Sequence, residues 1–184
     1  MKRLAIIVLN WNGADDALEC INSLARQTLK PTIIIVDNNS SDDSVARFNK
    51  YIKTHSSAGC VIIENDKNLG FAGGINTGLV YARKQGFEYI GVLNPDAVAD
   101  KKWCCALVNE LSAHPNCGIA TGILQRRDGK TLDTTGDFYT TWGLPGPRNR
   151  DEPIENAPSK PGEVFGATGG GAIYRAAMFD DIDM

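Results

Sequence analysis

An α/β sandwich built on a mostly parallel sheet is the fold this sequence predicts. Three observations predict it. Short apolar runs alternate with stretches of helical periodicity, each run ends on a polar or glycine-rich segment, and a hairpin signal comes only late in the chain. The run around which the others are arranged is Glu88-Tyr-Ile-Gly-Val-Leu-Asn-Pro-Asp-Ala-Val98. Tyr89 to Leu93 reads as a strand buried on both faces. Pro95 removes a backbone donor and ends the ladder, which places Asp96 just past the strand's carboxyl end. In open α/β sheets that rim is where ligands bind, and a carboxylate there can hold a divalent cation or merely start a turn.

The elements follow in order. Leu4 to Leu9 is a buried first strand opening onto Asn10-Trp11-Asn12-Gly13. A helix follows, with Asp15 and Asp16 where its dipole favours acids, an apolar stripe of Leu18, Ile21, Leu24 and Ala25, and Pro31 as its stop. Thr32 to Val36 is a second buried strand, ending on Asp37-Asn38-Asn39-Ser40-Ser41-Asp42-Asp43. Ser40 or Ser41 suits a helix N-cap, with Val45, Phe48 and Ile52 as the following apolar face. Asp37 is left over from that explanation. A carboxylate ending the second strand of a strand–helix–strand unit can accept from a ribose hydroxyl or a base N–H.

Val61 to Glu64 is a third strand, running into a glycine-rich segment from Asn65 to Gly78 whose glycines permit close backbone approach at a helix start. Ile75, Leu79 and Ala82 make that helix's stripe and Gly86 closes it. After the central strand comes a helix over about 100–111, then a strand over Ile119 to Leu124. Arg127-Asp128-Gly129-Lys130 is a hairpin turn signal, so the C-terminal part of the sheet is expected to be antiparallel. Residues 140–162 hold most of the prolines and few apolar side chains, which reads as a long mobile loop of the kind that covers sites. Val164 to Tyr174 is apolar again around Gly169-Gly170-Gly171, and a last helix is expected to begin near Arg175.

With 184 residues, 42% of them hydrophobic, the chain can bury one real core. A net charge of -3 gives no electrostatic case for a nucleic-acid partner. The apolar run after Met-Lys-Arg is too short for a signal peptide, and no stretch has the length of a membrane span. That composition stays compatible with peripheral contact at a membrane's inner face. Five cysteines, Cys20, Cys60, Cys104, Cys105 and Cys117, with no Cys-x-x-Cys, argue for a reducing, cytoplasmic setting rather than disulfides or zinc. His55 and His114 read as surface residues far from each other. The first turn lacks the Gly-x-Gly-x-x-Gly of a dinucleotide site; neither a P-loop nor a Ser/His/Asp set is indicated.

Ile7-Val-Leu-Asn-Trp-Asn-Gly13, Val36-Asp-Asn-Asn-Ser-Ser-Asp-Asp-Ser44, Asn68-Leu-Gly-Phe-Ala-Gly-Gly-Ile-Asn76, Leu93-Asn-Pro-Asp-Ala97 and Gly169-Gly-Gly-Ala-Ile-Tyr-Arg-Ala-Ala-Met178 occur in that order. Together they resemble the family-2 inverting glycosyltransferases, in particular the rhamnosyltransferase-like branch, over essentially the whole chain. The resemblance implies a GT-A fold, a Rossmann-like three-layer sandwich with a C-terminal antiparallel hairpin, as a single nucleotide-sugar-binding domain. It implies that Asn10 and Trp11 line a nucleobase pocket, that Asp37 binds base or ribose, and that Gly70, Phe71 and Asn76 lie beside the nucleotide. Asn94-Pro95-Asp96 stands where the family has Asp-x-Asp, so Asn94 replaces the first acid and Asp96 alone is left to hold Mg2+ or Mn2+. Gly169, Gly170 and Gly171 correspond to the acceptor side.

The implied activity is transfer of a sugar, such as rhamnose, from a dTDP- or UDP-linked donor to a glycan or lipid-linked acceptor. A nucleotide-sugar-binding fragment that does not transfer, and a sugar nucleotidyltransferase of similar fold, are the alternatives. The family's base follows the acceptor segment; Asp180, Asp181 and Asp183 match the helix leading to it, so the base is expected beyond Met184 in a chain that looks truncated. On that reading the chain binds donor without transferring it, and Met178, Phe179 and Ile182 are expected to lack partners.

Overall fold

The structure, a computed structural model, describes residues 3–55 and 59–182. Asp183, one of the acids weighed as a base, lies outside them. The four expected strand–helix units are present: β1 (Leu4–Asn10), α1 (Ala14–Ala25), β2 (Thr32–Asp37), α2 (Ser44–Thr54), β3 (Cys60–Glu64), α3 (Gly70–Lys84), β4 (Tyr89–Leu93) and α4 (Trp103–Ala113). Then follow β5 (Ile119–Thr121), β6 (Leu124–Gln125), β7 (Leu132–Thr134), β8 (Asp137–Tyr139), β9 (Pro145–Pro147), β10 (Gly171–Arg175) and α5 (Met178–Asp181).

The main sheet has the order β3-β2-β1-β4-β10-β5. β1 pairs in parallel with β2 and β4, and β2 with β3, whereas β10 runs antiparallel to both β4 and β5. The alternating side chains of β1 divide the core between the two faces. Leu4, Ile6 and Val8 pack with α1, α2 and α4, while Ala5, Ile7 and Leu9 pack with α3 and α5. This is the expected three-layer sandwich.

Several boundaries differ from the sequence expectation. α1 stops at Ala25, before Pro31, and the buried Gln27 then ties the loop to α4 by donating to Asp100 O at 2.6 Å and accepting from Cys104 N at 2.9 Å. Ser40 and Ser41 do not cap α2, which begins at Ser44 after Asp43. The Ser40 hydroxyl is drawn to the buried Asp37 carboxylate instead, at 2.6 Å, because a charge-assisted bond there is stronger than an exposed cap. The single strand expected over Ile119 to Leu124 is two: β5 joins the main sheet, while β6 leaves it to pair with β7 around the expected 127–130 turn. β10 continues to Arg175, where a helix start was expected, and α5 begins at Met178.

The end of the chain is better packed than expected. Phe179 is buried in the α3 side of the core with its ring 5.7 Å from that of Tyr174, Met178 packs beside it, and Ile182 alone of the three stays exposed. An ion pair between Arg83 and Asp180 fastens α5 to α3. Residues 140–162 hold β9 and a 3-10 turn at Ile154–Asn156. Their backbone is tied to the β6–β7 hairpin, Ile154 N–H donating to Lys130 O at 2.8 Å, while Trp142 at the β8–β9 tip is 88% exposed.

The glycines of α3 have a packing reason. A Cβ on Gly74 would stand 2.4 Å from Leu9 Cδ1, and one on Gly78 would stand 2.7 Å from Ile7 Cγ2, so the helix axis lies closer to β1 than any side chain would allow. Gly78→Val is therefore expected to lower stability by about 2–3 kcal/mol through overpacking, outweighing its small helix-propensity gain. Denaturant titration checks this, and an unchanged midpoint would contradict the close packing.

Candidate functional site

Parallel pairing of β1, β2 and β4 brings Asn10, Asp37 and Asn94-Pro95-Asp96 to one rim, the carboxyl ends of the strands, in register Asn10↔Asp37. A cleft of about 590 Å³ opens there, lined by Leu9, Asn10, Trp11, Gly13, Asp16, Asn38, Asn68, Gly70, Phe71, Asn94, Pro95 and Asp96. Trp11 and Phe71 offer large exposed aromatic surfaces in an otherwise polar cleft.

Asp37 lies beneath the cleft rather than in its lining, at 1% exposure. Its Oδ1 accepts from Asn10 Nδ2 at 3.0 Å and from Ser40 Oγ at 2.6 Å, and its Oδ2 accepts from Ser40 N at 2.8 Å. A buried carboxylate only accepts, so it fixes which end of the Asn10 amide faces it. Asn10 Oδ1 is then turned away. It is buried and has no hydrogen-bond partner among the described residues, the condition of an acceptor left for a ligand. Ser40 Oγ also accepts from Asn12 N at 2.9 Å, and Asn12, at φ 53°, accepts from Ser41 N at 2.7 Å. The polar run after β2 is thus a lock on the β1 loop.

Three asparagines hold the start of α3. Asn38 Nδ2 donates to Asn68 Oδ1 at 2.9 Å and Gly70 O at 3.1 Å, and Asn38 Oδ1 accepts from Leu69 N at 3.0 Å and Asn65 Nδ2 at 3.1 Å. Gly70 takes the left-handed φ of 70°, which turns the chain into the helix with Phe71 at the cleft edge. The sequence expectation that these glycines serve backbone approach to a ligand fits Gly70 alone; Gly74 and Gly78 face β1. Asn76 is exposed one turn further along α3, outside the cleft lining.

Asn94 N–H donates to Gly170 O at 3.0 Å, and Gly171 pairs with Leu93, so β10 carries the Gly169–Gly171 segment directly against the Asn-Pro-Asp rim. A Cβ on Gly169 would stand 4.0 Å from the tip of the Phe71 ring. The sequence-predicted acceptor side and donor side are therefore adjacent.

The lining holds two carboxylates, Asp16 and Asp96, and no lysine, arginine or histidine. Among the described residues no three His, Cys, Asp or Glu side chains converge as a metal cage. Mg2+ and Mn2+ at phosphate-bearing sites need only one or two carboxylates, the rest of the shell coming from phosphate and water. The exposed Asp96, with Asp16 nearby, fits a cation held in that way.

Asp16, Asn38 and Asn68 belong to the site and were not singled out by sequence reasoning. Asp16 was absorbed by its helix-dipole explanation, and the asparagines by turn chemistry. The cysteines stand apart from any chemistry: burial pushes the Cys20 and Cys104 thiols up to about 12 and that of Cys60 up to about 11. His55 stacks on Tyr51 and His114 pairs with Glu110 at 3.2 Å, both at helix ends.

A parallel sheet that accepts one antiparallel strand, with a cleft at its carboxyl edge, is the GT-A arrangement. The chain belongs to glycosyl transferase family 2, whose sequence profile matches residues 5–183. Solved structures with the same fold include a mannosyltransferase from Pyrobaculum calidifontis in complex with GDP-Man and Mn2+ (17% identity, 99% of this chain and 47% of that one, TM-score 0.71). TarS from S. aureus in complex with UDP-GlcNAc is similar at 18% identity over 98% of this chain and 47% of that one, TM-score 0.61. GalNAc-T7 with UDP, GalNAc and Mn2+ is similar at 13% identity over 99% of this chain and 36% of that one, TM-score 0.73. The chain thus spans about half the length, or less, of these structures. No curated protein matches the sequence closely. Among the described residues no helix is long and apolar enough to cross a membrane.

Proposed function

We propose that this chain binds a nucleoside-diphosphate sugar in the cleft at the carboxyl rim of β1, β2 and β4, as the donor half of a sugar transferase. The observation that carries this reading is the cleft lined by Trp11, Phe71, Asn94 and Asp96, at whose base Asn10 Oδ1 is a buried acceptor without a partner among the described residues, suited to the imide N–H of uracil or thymine. Trp11 and Phe71 supply ring surface for base and sugar. Asp37 acts through Asn10, holding its amide and the loop beyond it. The diphosphate lies towards Asn94 and Asp96, where a Mg2+ or Mn2+ held by Asp96, with Asp16 close by, would stabilise the charge of the leaving group as a Lewis acid. Neighbours of the same fold were solved with GDP-Man, UDP, UDP-GlcNAc and Mn2+, which supports a nucleotide sugar as the ligand class.

The finer reading is a dTDP- or UDP-linked deoxyhexose such as rhamnose, passed with inversion to a glycan or lipid-linked acceptor entering past Gly169–Gly171, at the cytoplasmic face of a membrane. In-line attack by an acceptor hydroxyl needs a base to take its proton. Calorimetric titration of UDP, dTDP, GDP and their sugars, with and without Mn2+, tests the donor reading; no binding by any of them would overturn it.

Residues 140–162 are the proposed lid, since their exposed tip lacks packing of its own. Limited proteolysis should cut there first in the free protein, and nucleotide with Mn2+ should slow the cut. Cleavage elsewhere first, or at an unchanged rate with nucleotide bound, would contradict a lid.

A further inference from the structure

The β6–β7 turn places one cation at the mouth of a cleft whose lining has none. Arg127 Nη2 lies 3.2 Å from Asp16 Oδ1, 3.5 Å from Glu19 Oε2 and 3.3 Å from the carbonyl oxygen of Asp96. Asp16 and Asp96 are both lining residues, so the guanidinium bridges the α1 and β4 sides of the cleft. All three contacts use Nη2, and the Nε–H and Nη1–H groups have no acceptor among the described residues.

The backbone beneath Arg127 is pinned. Asp128 accepts from Lys130 N at 2.8 Å, Thr131 N at 3.0 Å and Thr131 Oγ1 at 2.7 Å, and Arg126 is engaged with Asp151. The side chain itself is not: Arg127 and Asp16 are each more than half exposed, and ion pairs that open to solvent hold weakly. A fixed base, a mobile fork and spare donors are what a phosphate-binding arginine needs.

We infer that Arg127 is a ligand of the donor's diphosphate: it bridges Asp16 and Asp96 in the free protein and turns its fork to the phosphate oxygens when donor enters. This rests on the donor site proposed above. The electrostatics favour the exchange. A diphosphate entering a cleft lined by two carboxylates meets net repulsion, and Arg127 supplies positive charge at the Asp96 side, where charge develops on the leaving group. The acids hold the guanidinium in position when the cleft is empty.

Calorimetry on the intact chain tests this, using UDP and UMP with Mn2+, or dTDP or GDP and its monophosphate if that base binds better. Arg127→Ala should weaken diphosphate binding by about ten- to a hundredfold, the worth of charge-assisted hydrogen bonds, and monophosphate binding much less. Arg127→Lys should recover only part, since a point charge lacks the fork. Glu19→Gln, which removes an acid beside the arginine without touching the cleft lining, should tighten diphosphate binding by freeing the arginine, and the gain should vanish in Glu19→Gln/Arg127→Ala. If Arg127 merely ties the hairpin to α1, Arg127→Ala lowers the melting temperature and leaves diphosphate affinity unchanged, and the inference falls while the donor site stands. If the parent chain binds no diphosphate at all, the donor site falls and the inference with it.

Discussion

Asp96→Ala is expected to abolish the Mn2+-dependent part of nucleoside-diphosphate binding while leaving the fold intact. The side chain is exposed at the β4 rim, and its carboxylate makes no hydrogen bond among the described residues, so stability should move by no more than about 0.5 kcal/mol. The affinity should fall far more. In the proposed site Asp96 is the principal carboxylate available to hold the cation, since its neighbour across Pro95 is Asn94. Charge-assisted contacts are worth about 1.5–3 kcal/mol, and at about 1.4 kcal/mol per tenfold the loss of the cation should cost roughly ten- to a hundredfold in affinity. Titrations of diphosphate with Mn2+ and with EDTA separate the two contributions. The parent should distinguish the two conditions and the variant should not. Equal Mn2+-dependent affinity in parent and variant would remove Asp96 from the metal site.

Asp37→Ala should act differently, on both the fold and the nucleoside. It deletes a buried acceptor that holds Asn10 Nδ2, Ser40 N and Ser40 Oγ, leaving Ser40 N unpaired and Asn10 Nδ2 with Ser40 Oγ as its remaining acceptor at 3.1 Å. Hydrogen bonds to a buried charged group are worth about 1.5–3 kcal/mol, so the loss should be about 2–4 kcal/mol. For a domain of this size that is a fall of roughly 5–15 °C in melting temperature. With Asn10 held by Ser40 alone, monophosphate and diphosphate should weaken together, in contrast to Asp96→Ala, because the damage lies at the nucleoside end. Asp37→Asn keeps the shape but turns a donor towards either Asn10 Nδ2 or Ser40 N, and should recover only part of the stability. A variant as stable as the parent, with unchanged nucleotide affinity, would reduce Asp37 to a turn residue.

The order of β1, α1, β2, α2, β3, α3, β4 and α4 was legible because each strand is a short apolar run, with β1, β2 and β4 buried on both faces, and each helix shows an apolar stripe. Those are local patterns, and the alternation itself forces parallel crossovers. Asp96 was legible for the same reason, as a carboxylate just past a strand end, whereas Asn10, Trp11, Gly70, Phe71 and Asn94 were singled out by the family resemblance; parallel strands put all of these positions on one rim.

What tertiary structure decided is where chain segments far apart in sequence meet. β10 was read as an apolar, glycine-rich stretch corresponding to the acceptor side, with no strand neighbour assigned; it inserts beside β4 and brings Gly170 onto Asn94. Strand neighbours are chosen by long-range pairing, and no local period reports that choice. Asp37 ends a strand in the sequence and is a buried clamp in three dimensions, because Asn10 and Ser40 close over it from two different loops. Gly74 and Gly78 looked like a ligand loop and are contact surfaces for Leu9 and Ile7. Arg127 was part of a turn signal, and only the packing of that hairpin against α1 sets its guanidinium between Asp16 and Asp96. The sequence by itself determined the sheet-forming units and the rim on which chemistry could stand. The partners of each polar side chain on that rim were decided by tertiary packing, because hydrogen bonds and charge are satisfied across space rather than along the chain.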